Sequence, residues 1–372
     1  MTSLAQTEVS IIIPVFNAAG CLANALDSAL KQTLQAVEVV AVDDGSSDDS
    51  FRILSERAAA EPRLRVFRQP SNQGTLAARN RGIRECRGKY LMFLDPDDFL
   101  ELNAAEELFQ LAERENADII HFATKEFTRT ADGGCKPRYN WIAPEEKRIS
   151  GPGSVLKDLL LRGHNWSLCF KLIRRETCLK ALGEMEDFYC LMGEDLCFYL
   201  PVAYYAGTLI QTGRKYYNYD TTAGITAVQI IPPEKFRGTA TVLDALAQGG
   251  KFLTMKKILD DPALSAAWDK IRREQYLILW NRWYSRLAPG TRGEVGEYLL
   301  QHADSKELLL LALFDENEYL RENEEFVKFA RGIYKIMNRI FPKNSFLRMK
   351  LKAWYKKRKN AREKGNSGCA SL

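Results

Sequence analysis

From Val9 to Thr124 the chain alternates unbroken apolar runs with segments of helical spacing, and that alternation leaves few folds open. VSIIIPV (Val9 to Val15) and VEVVAVDD (Val37 to Asp44) are continuous and rich in β-branched residues, as strands buried on both faces of a parallel sheet are. LRVFRQ, KYLMFLD (Lys89 to Asp95) and ADIIHFAT supply three further strand runs. Between them, Cys21 to Leu34, Asp48 to Ala60, Thr75 to Cys86 and Leu102 to Asn116 read as helices, with Asn17 offered as N-cap to the first. Short connections in a βαβαβαβαβ order predict an α/β fold, a mostly parallel Rossmann-like sheet with helices on both faces. Ligands of such sheets bind at the carboxyl edge of the strands. Here two strands end on acids, at Asp43-Asp44 and at Asp95.

Beyond residue 130 the pattern loosens. ADGGCKPRYNWIAPEE reads as a polar surface loop or β-ribbon. Ser154 to Arg162 and Cys190 to Ala206 read as helices, and TLIQTGRKYYNY as one or two strands. Helical signals dominate from Pro232 onward, through Phe236 to Ala247, Ala263 to Leu287, Gly293 to His302 and Glu322 to Arg339. With Ile231-Pro232-Pro233 as punctuation, the expected division is a nucleotide-binding catalytic domain over 1–230 and a helical C-terminal region over 231–372. The first apolar run, Ile11 to Ile13, is far shorter than the roughly 20 residues of a membrane span or a signal h-region, so a cytoplasmic location is expected.

The charge is uneven. Residues 331–364 hold 13 Lys and Arg against one acid, a local +12, and subtracting this from the overall +5 leaves −7 for the rest. That segment interleaves Ile333, Ile336, Ile340, Phe341, Leu347, Leu351 and Trp354 with its bases. It reads as a basic amphipathic tail suited to the anionic inner face of a membrane, or to docking on the body or a partner; no specific nucleic acid is implied. The eight cysteines (Cys21, Cys86, Cys135, Cys169, Cys178, Cys190, Cys197, Cys369) form no CxxC pair, which excludes a zinc ribbon and favours buried free thiols.

A strand that stops at Asp43-Asp44, before Gly45-Ser46-Ser47, sets carboxylates where ribose hydroxyls or a base N–H can donate to them; Ser47 or Asp48 can instead cap the next helix. FLDPDDFL crowds Asp95, Asp97 and Asp98 into four positions. Carboxylates this close repel unless a cation or hydrogen bonds compensate, so the cluster suggests a hard divalent metal, Mn²⁺ or Mg²⁺, or else a solvated turn that caps the following helix. No GxxxxGK[ST] loop is present and no GxGxxG follows the first strand, which favours metal-mediated phosphate binding over a dehydrogenase or a P-loop kinase. Asp195, flanked by Leu191-Met192-Gly193 and Leu196-Cys197-Phe198, sits among apolar residues of the kind that raise a carboxyl pKa, though it or Glu194 can equally cap a helix. Trp166 reads first as a core residue, with sugar stacking as the alternative, and His164 as structural. Lys171, Arg174 and Arg175 lie near this half of the chain, where one of them could reach a diphosphate.

SIIIPVFN, VVAVDDGSSDDS, NQGTLAARNRGI and YLMFLDPDDFL, in that order and spacing, resemble family 2 glycosyltransferases with a GT-A fold. Fainter similarity to bacterial polysaccharide-type members continues through CFKLIRRE, MGEDLCFYLPVAYYA and KYYNYDTTAGIT. The resemblance implies that Pro14, Phe16 and Asn17 line a nucleotide pocket, that Asp43, with Asp44 beside it, meets the base or ribose, and that Arg79 lies by the uracil or diphosphate. Phe16 stands where many members carry Tyr, so stacking survives without the phenolic hydrogen bond. It further implies that Asp95 and Asp97, with Asp98 adjacent, bind the donor diphosphate and its metal, and that in the acidic pair Glu194-Asp195 the aspartate is the general base of an inverting transfer. The implied activity moves a sugar from a nucleotide-sugar donor, a UDP-sugar, to a glycan or lipid-linked acceptor in surface polysaccharide synthesis. Two rivals remain: a sugar nucleotidyltransferase, which calls for a Gly-rich basic loop where PVFNAAG stands, and a degenerate domain that only binds glycans or partners.

Overall fold

The computed structural model describes residues 7–130, 135–138, 143–222 and 230–306, with 308, 309 and 312. The basic tail at 331–364 and the helix expected over 322–339 lie outside the described residues. The elements alternate as the apolar runs require: β1 (Val9–Val15), α1 (Leu22–Leu30), β2 (Val37–Asp43), α2 (Ser50–Ala60), β3 (Leu64–Arg68), α3 (Thr75–Glu85) and β4 (Tyr90–Phe93). Next come β5 (Phe99–Leu100), α4 (Ala104–Glu115), β6 (Ile119–Arg129), β7 (Cys135–Arg138), β8 (Lys147–Ser150) and α5 (Ser154–Arg162). The remainder is β9 (Lys171–Arg174), α6 (Arg175–Leu182), α7 (Glu194–Tyr205), β10 (Thr208–Asp220), α8 (Pro233–Ala240), α9 (Val242–Met255), α10 (Pro262–Arg286) and α11 (Arg292–His302).

One sheet runs in the order β3-β2-β1-β4-β9-β6-β10-β5, with β7 added to β6 and β8 to β10. β3, β2, β1 and β4 are mutually parallel, with Val9 opposite both Val37 and Tyr90. β9 opposes both of its neighbours, β4 and β6, so β6 runs with β4, and β10 runs with β6. Six strands of that path therefore point one way, and only β9 and the two-residue β5 point back. Every residue of β1, β2 and β4 is buried, which accounts for the absence of polar alternation in their sequence.

Several boundaries differ from the sequence reading, among them the single helix expected over Phe236 to Ala247, which is two, α8 and α9, and two helix starts that bear on the site. α1 begins only at Leu22, because Asn17 does not cap it: Asn17 adopts φ +49° and its side-chain oxygen accepts from Ser47 N–H at 2.8 Å. The helix read as starting at Cys190 starts at Glu194, since Gly193 takes φ +86°, which a helix interior does not allow.

The described residues form two compact units, one with residues up to 229 and 238–268, the other with 230–237 and those from 269 onward. In the second, Trp280 and Trp283 meet edge to face at 5.4 Å between centroids, and their indole N–H groups donate to the carbonyls of Leu309 (2.9 Å) and Arg292 (2.8 Å). Among the described residues no helix is long and apolar enough to cross a membrane. The six described cysteines are free thiols, buried except for the half-buried Cys21.

Candidate active site

β1, β2 and β4 deliver three chain segments to one edge of the sheet, and hydrogen bonds between those segments shape the cleft. Asp44 N–H donates to Val15 O (2.7 Å) and Leu94 N–H to Ile12 O (3.0 Å), so the strand ends stay in register past the sheet. Asn17 then ties the end of β1 to the turn after β2: its N–H donates to Ser46 Oγ at 3.0 Å while its Oδ1 receives Ser47 N–H. Asp48 spans the same gap, accepting from Ala19 N–H and Ser50 N–H at 3.0 Å each. Phe16, held between these ties, stands 44% exposed, and Pro14 is buried within β1.

The two acids at the end of β2 diverge. Asp44 is spent on structure: Gln69 Nε2 (2.6 Å) and the N–H groups of Gln73 and Gly74 (2.8 Å each) donate to it, which fixes the loop leading into α3. Burial raises its pKa against those donors. Asp43 is fully buried, with Oδ2 on Arg68 Nε at 3.1 Å, yet its Oδ1 has no hydrogen-bond partner. A buried carboxylate oxygen left without a donor is costly, and a ligand N–H or O–H would relieve that cost. Gly45, which turns the chain after Asp44, has φ +73°, and a Cβ there would lie 2.7 Å from the Ser71 carbonyl carbon and 2.9 Å from Asn72 N. Gly45→Ala is accordingly expected to destabilise the protein by on the order of 3 kcal/mol, read as a lower urea midpoint.

The centre of the cleft is a buried arginine. Arg79, on α3 and 3% exposed, donates from Nη1 to Asp195 Oδ1 (2.5 Å) and Glu194 Oε1 (3.2 Å), and from Nη2 to Asp95 Oδ1 (2.9 Å). The same Nη2 lies 3.7 Å from Cys169 Sγ. One guanidinium thus gathers acids that lie 16, 115 and 116 residues away in sequence. The position implied by the resemblance, beside uracil or diphosphate, places Arg79 in this cleft but does not convey that its donors are already occupied by carboxylates.

The acidic pair reaches Arg79 because the start of α7 is clamped from behind. Thr241 Oγ1 accepts the N–H groups of Leu191 (3.1 Å) and Met192 (3.0 Å). A Cβ on Gly193 would sit 3.0 Å from Ala245 Cβ and Val242 Cγ2, so only glycine lets the helix start approach α9 this closely. Glu194 has its pKa raised by burial and by Asp195 beside it, with Arg79 opposing. The N-cap position of α7 belongs to Gly193, and both acids stand in the first turn.

FLDPDDFL forms a turn closed by Asp98 N–H to Asp95 O (3.1 Å). Asp98 points inward and is 1% exposed: Tyr217 Oη donates to its Oδ2 at 2.7 Å, and Asp220 N–H to its Oδ1 at 2.7 Å. The Tyr217 hydroxyl in turn accepts Asp95 N–H at 3.1 Å, so β10 holds the turn at both ends. Burial and the acids nearby push Asp98 up to about 9. The half-buried Asp97 takes Arg129 Nη2 on its carbonyl at 3.5 Å, while its carboxylate accepts no hydrogen bond from another described residue, and burial and Asp95 push it up to about 6. Arg79 meets only one oxygen of Asp95, and crowded like charges of this kind fit a further cation, with Asp95 and Asp97 as its carboxylates. Among the described residues no three His, Cys, Asp or Glu converge as a protein-only metal cage. Magnesium or manganese takes one or two carboxylates and fills its other positions with phosphate oxygens and water.

Arg174 and Arg175 leave the cleft, whereas Lys171 stays behind it, where Asp195 acts on its charge. β9 runs against β4, pairing Arg174 with Tyr90 at the opposite edge of the sheet, where Arg174 Nε binds Asp118 at 2.9 Å. Lys171 is wholly buried, donating to the carbonyls of Asn165 (2.7 Å) and Ser167 (2.6 Å). His164 is structural, as the sequence suggests, bridging Asp158 Oδ2 (2.7 Å) and the Tyr199 hydroxyl (3.0 Å). Trp166 is half-exposed and not in the core.

With this geometry in place, the comparisons are decisive about family. The family model for "Glycosyl transferase family 2" matches residues 10–153. An uncharacterized glycosyltransferase of Haemophilus influenzae is 40% identical over 192 residues, which cover 52% of this chain and 70% of that one. The chain belongs to glycosyltransferase family 2. Glycosyltransferase GlyG of Streptococcus pneumoniae is 34% identical over 112 residues, 30% of this chain and 37% of its own. Escherichia coli chondroitin synthase is 47% identical over 98 residues, 26% of this chain and 14% of its own, so the chain spans only a minor part of these two relatives. The crystal structure of S. aureus TarS 1-349 in complex with UDP-GlcNAc covers 82% of this chain and 91% of that one at 16% identity and TM-score 0.49, too loose a likeness to carry residue roles across. Within the family match lie Pro14, Phe16, Asn17, Asp43, Asp44, Arg79, Asp95, Asp97 and Asp98; Glu194 and Asp195 lie beyond it and enter the site through Arg79.

Proposed function

We propose that this protein is an inverting, metal-dependent glycosyltransferase that moves a hexosyl or N-acetylhexosaminyl group from a UDP-sugar to a hydroxyl of a glycan or lipid-linked acceptor in surface polysaccharide synthesis. The observation that carries the reading is the Arg79 hub, which sets Asp195 and Asp95 on one guanidinium at 2.5 and 2.9 Å. Single displacement at a sugar carbon needs a base on one face and a stabilised leaving group on the other, and the hub brings a candidate for each into one cleft. The acceptor oxygen attacks C1 on one face while Asp195 takes its proton, and the nucleoside diphosphate departs from the other face, which inverts the anomeric centre. The base of the nucleotide would donate to the unpartnered Asp43 Oδ1 and lie against the exposed Phe16 ring. Asp95 and Asp97 would hold Mn²⁺ or Mg²⁺, which when bound neutralises charge on the departing diphosphate. Asp98 serves as the anchor of that turn, because both its oxygens already accept hydrogen bonds from β10. A relative named for chondroitin synthesis supports a glycan as acceptor. Contact of the basic segment 331–364 with an anionic membrane would suit a lipid-linked one.

The test is thermal stabilisation of the full chain by nucleoside diphosphates and UDP-sugars, with and without Mn²⁺. A shift with UDP that grows on adding Mn²⁺ is expected. Asp97→Ala should lose the growth and keep the metal-free shift. If no nucleoside diphosphate moves the melting temperature, the reading is wrong.

A further inference from the structure

The loop Gly163–Ser167, which joins α5 to the short 3₁₀ turn Leu168–Phe170, is pinned at almost every residue. His164 is held on both ring nitrogens by Asp158 and Tyr199. Asn165 Oδ1 accepts Ser167 N–H at 2.6 Å, and the carbonyls of these two residues both accept from the buried Lys171 ammonium. That ammonium also lies 4.5 Å over the Tyr199 ring, which fixes it from the other side. Trp166 sits in the middle of this frame, half-exposed. Among the described residues it has no ring partner and no acceptor for its indole N–H. A large side chain left only half-buried by a rigid loop is informative, because slack in the backbone does not explain its partial exposure.

Its place in the sheet separates it from the nucleotide. The donor residues Phe16 and Asp43 follow β1 and β2, whereas this loop leads into β9, on the other side of β4. Trp166 is three residues from Cys169, a span of at most about 11 Å. The Cys169 thiol lies 3.7 Å from the Arg79 guanidinium that holds Asp195. The residues on either side of Trp166 hold the Lys171 ammonium, on whose charge Asp195 acts, so this loop lies beside the carboxylate that would take the acceptor's proton.

We propose that Trp166 is the platform on which a sugar ring of the acceptor stacks, with Lys171 and His164 as positioning residues that keep its loop rigid. This rests on the glycosyltransferase reading above and extends it to the acceptor side. Aromatic faces bind the C–H surfaces of sugars, and a fixed ring supplies that contact at little entropic cost.

The experiment is steady-state kinetics of the full chain, with a UDP-sugar as donor and p-nitrophenyl β-glycosides of glucose, galactose and N-acetylglucosamine as acceptors. Trp166→Ala should raise the acceptor KM by about tenfold while the donor KM moves less than about twofold, and Trp166→Phe should recover most of the loss. Lys171→Met, which frees the loop and keeps the indole, should also raise the acceptor KM more than the donor KM. An unchanged acceptor KM in Trp166→Ala, or equal rises in both constants, overturns the proposal. So does an unaltered enzyme that releases UDP from the donor yet uses none of the glycosides. Failure of the unaltered chain to bind any nucleotide is a separate result: it removes the glycosyltransferase reading, and this proposal with it.

Discussion

Asp195→Asn is expected to lower sugar transfer by about 10³-fold while UDP still stabilises the protein against heat. The asparagine amide has nearly the shape of the carboxylate, and its oxygen can still accept from Arg79 Nη1, which lies 2.5 Å from Asp195 Oδ1. The hub therefore survives the substitution, and only the capacity to take a proton is lost. Glu194 is the one neighbour able to take over, since it meets the same Nη1 at 3.2 Å. Its raised pKa, caused first by burial, makes it inclined to hold a proton already and a poor acceptor of another at neutral pH. Glu194→Gln should accordingly keep most of the activity. The check is kcat for both variants beside the UDP-induced melting shift. Full activity in Asp195→Asn with loss in Glu194→Gln would exchange the two roles.

The halves of this site were unequally legible in the sequence. β1, β2 and β4 announce themselves, because a strand buried on both faces cannot hide its apolar run, and their acidic ends mark the ligand edge. What those acids do was not legible. Asp43 and Asp44 are adjacent, yet one keeps a bare oxygen and the other is saturated by residues 69–74, a difference made by a loop that no local pattern ties to β2. Asp97 and Asp98 part in the same way, because Asp98 meets Tyr217 and Asp220 from a strand about 120 residues later. β9 is four residues long, too short for periodicity to place it between β4 and β6 or to send Arg174 to the far edge. Thr241, which clamps the segment before Glu194 and Asp195, carries no chemical signature at all. The motifs locate the chemistry, and contacts distant in sequence assign it.

A large effect on stability is expected at Arg79. Arg79→Met keeps most of the side-chain volume in a site that is 3% exposed, but it removes the cation that Asp95, Glu194 and Asp195 share. Stripping one partner from a fully buried ion pair costs about 3–5 kcal/mol, because the charge left behind is neither hydrated nor paired. Here the carboxylates are 31%, 15% and 20% exposed, so water offsets part of that loss, and about 3 kcal/mol is expected, seen as a lower urea midpoint with an unchanged slope. The deficit should also depend on pH. Acids crowded without their cation have folded-state pKa values above their unfolded ones, so they favour folding at low pH and lose that contribution as pH rises. Glu194, already raised in the intact protein with Arg79 opposing the rise, should lead this response. The variant should thus approach the intact protein as the solution is made mildly acidic. Restoring charge with Arg79→Lys should recover part of the stability but little of the activity, because one ammonium cannot face Asp95 and the Glu194–Asp195 pair from two nitrogens of a single plane. If Arg79→Met were as stable as the intact protein at neutral pH, the three acids would have to be compensated by something other than this guanidinium, and the hub would be an accident of packing instead of the element that joins base to leaving group.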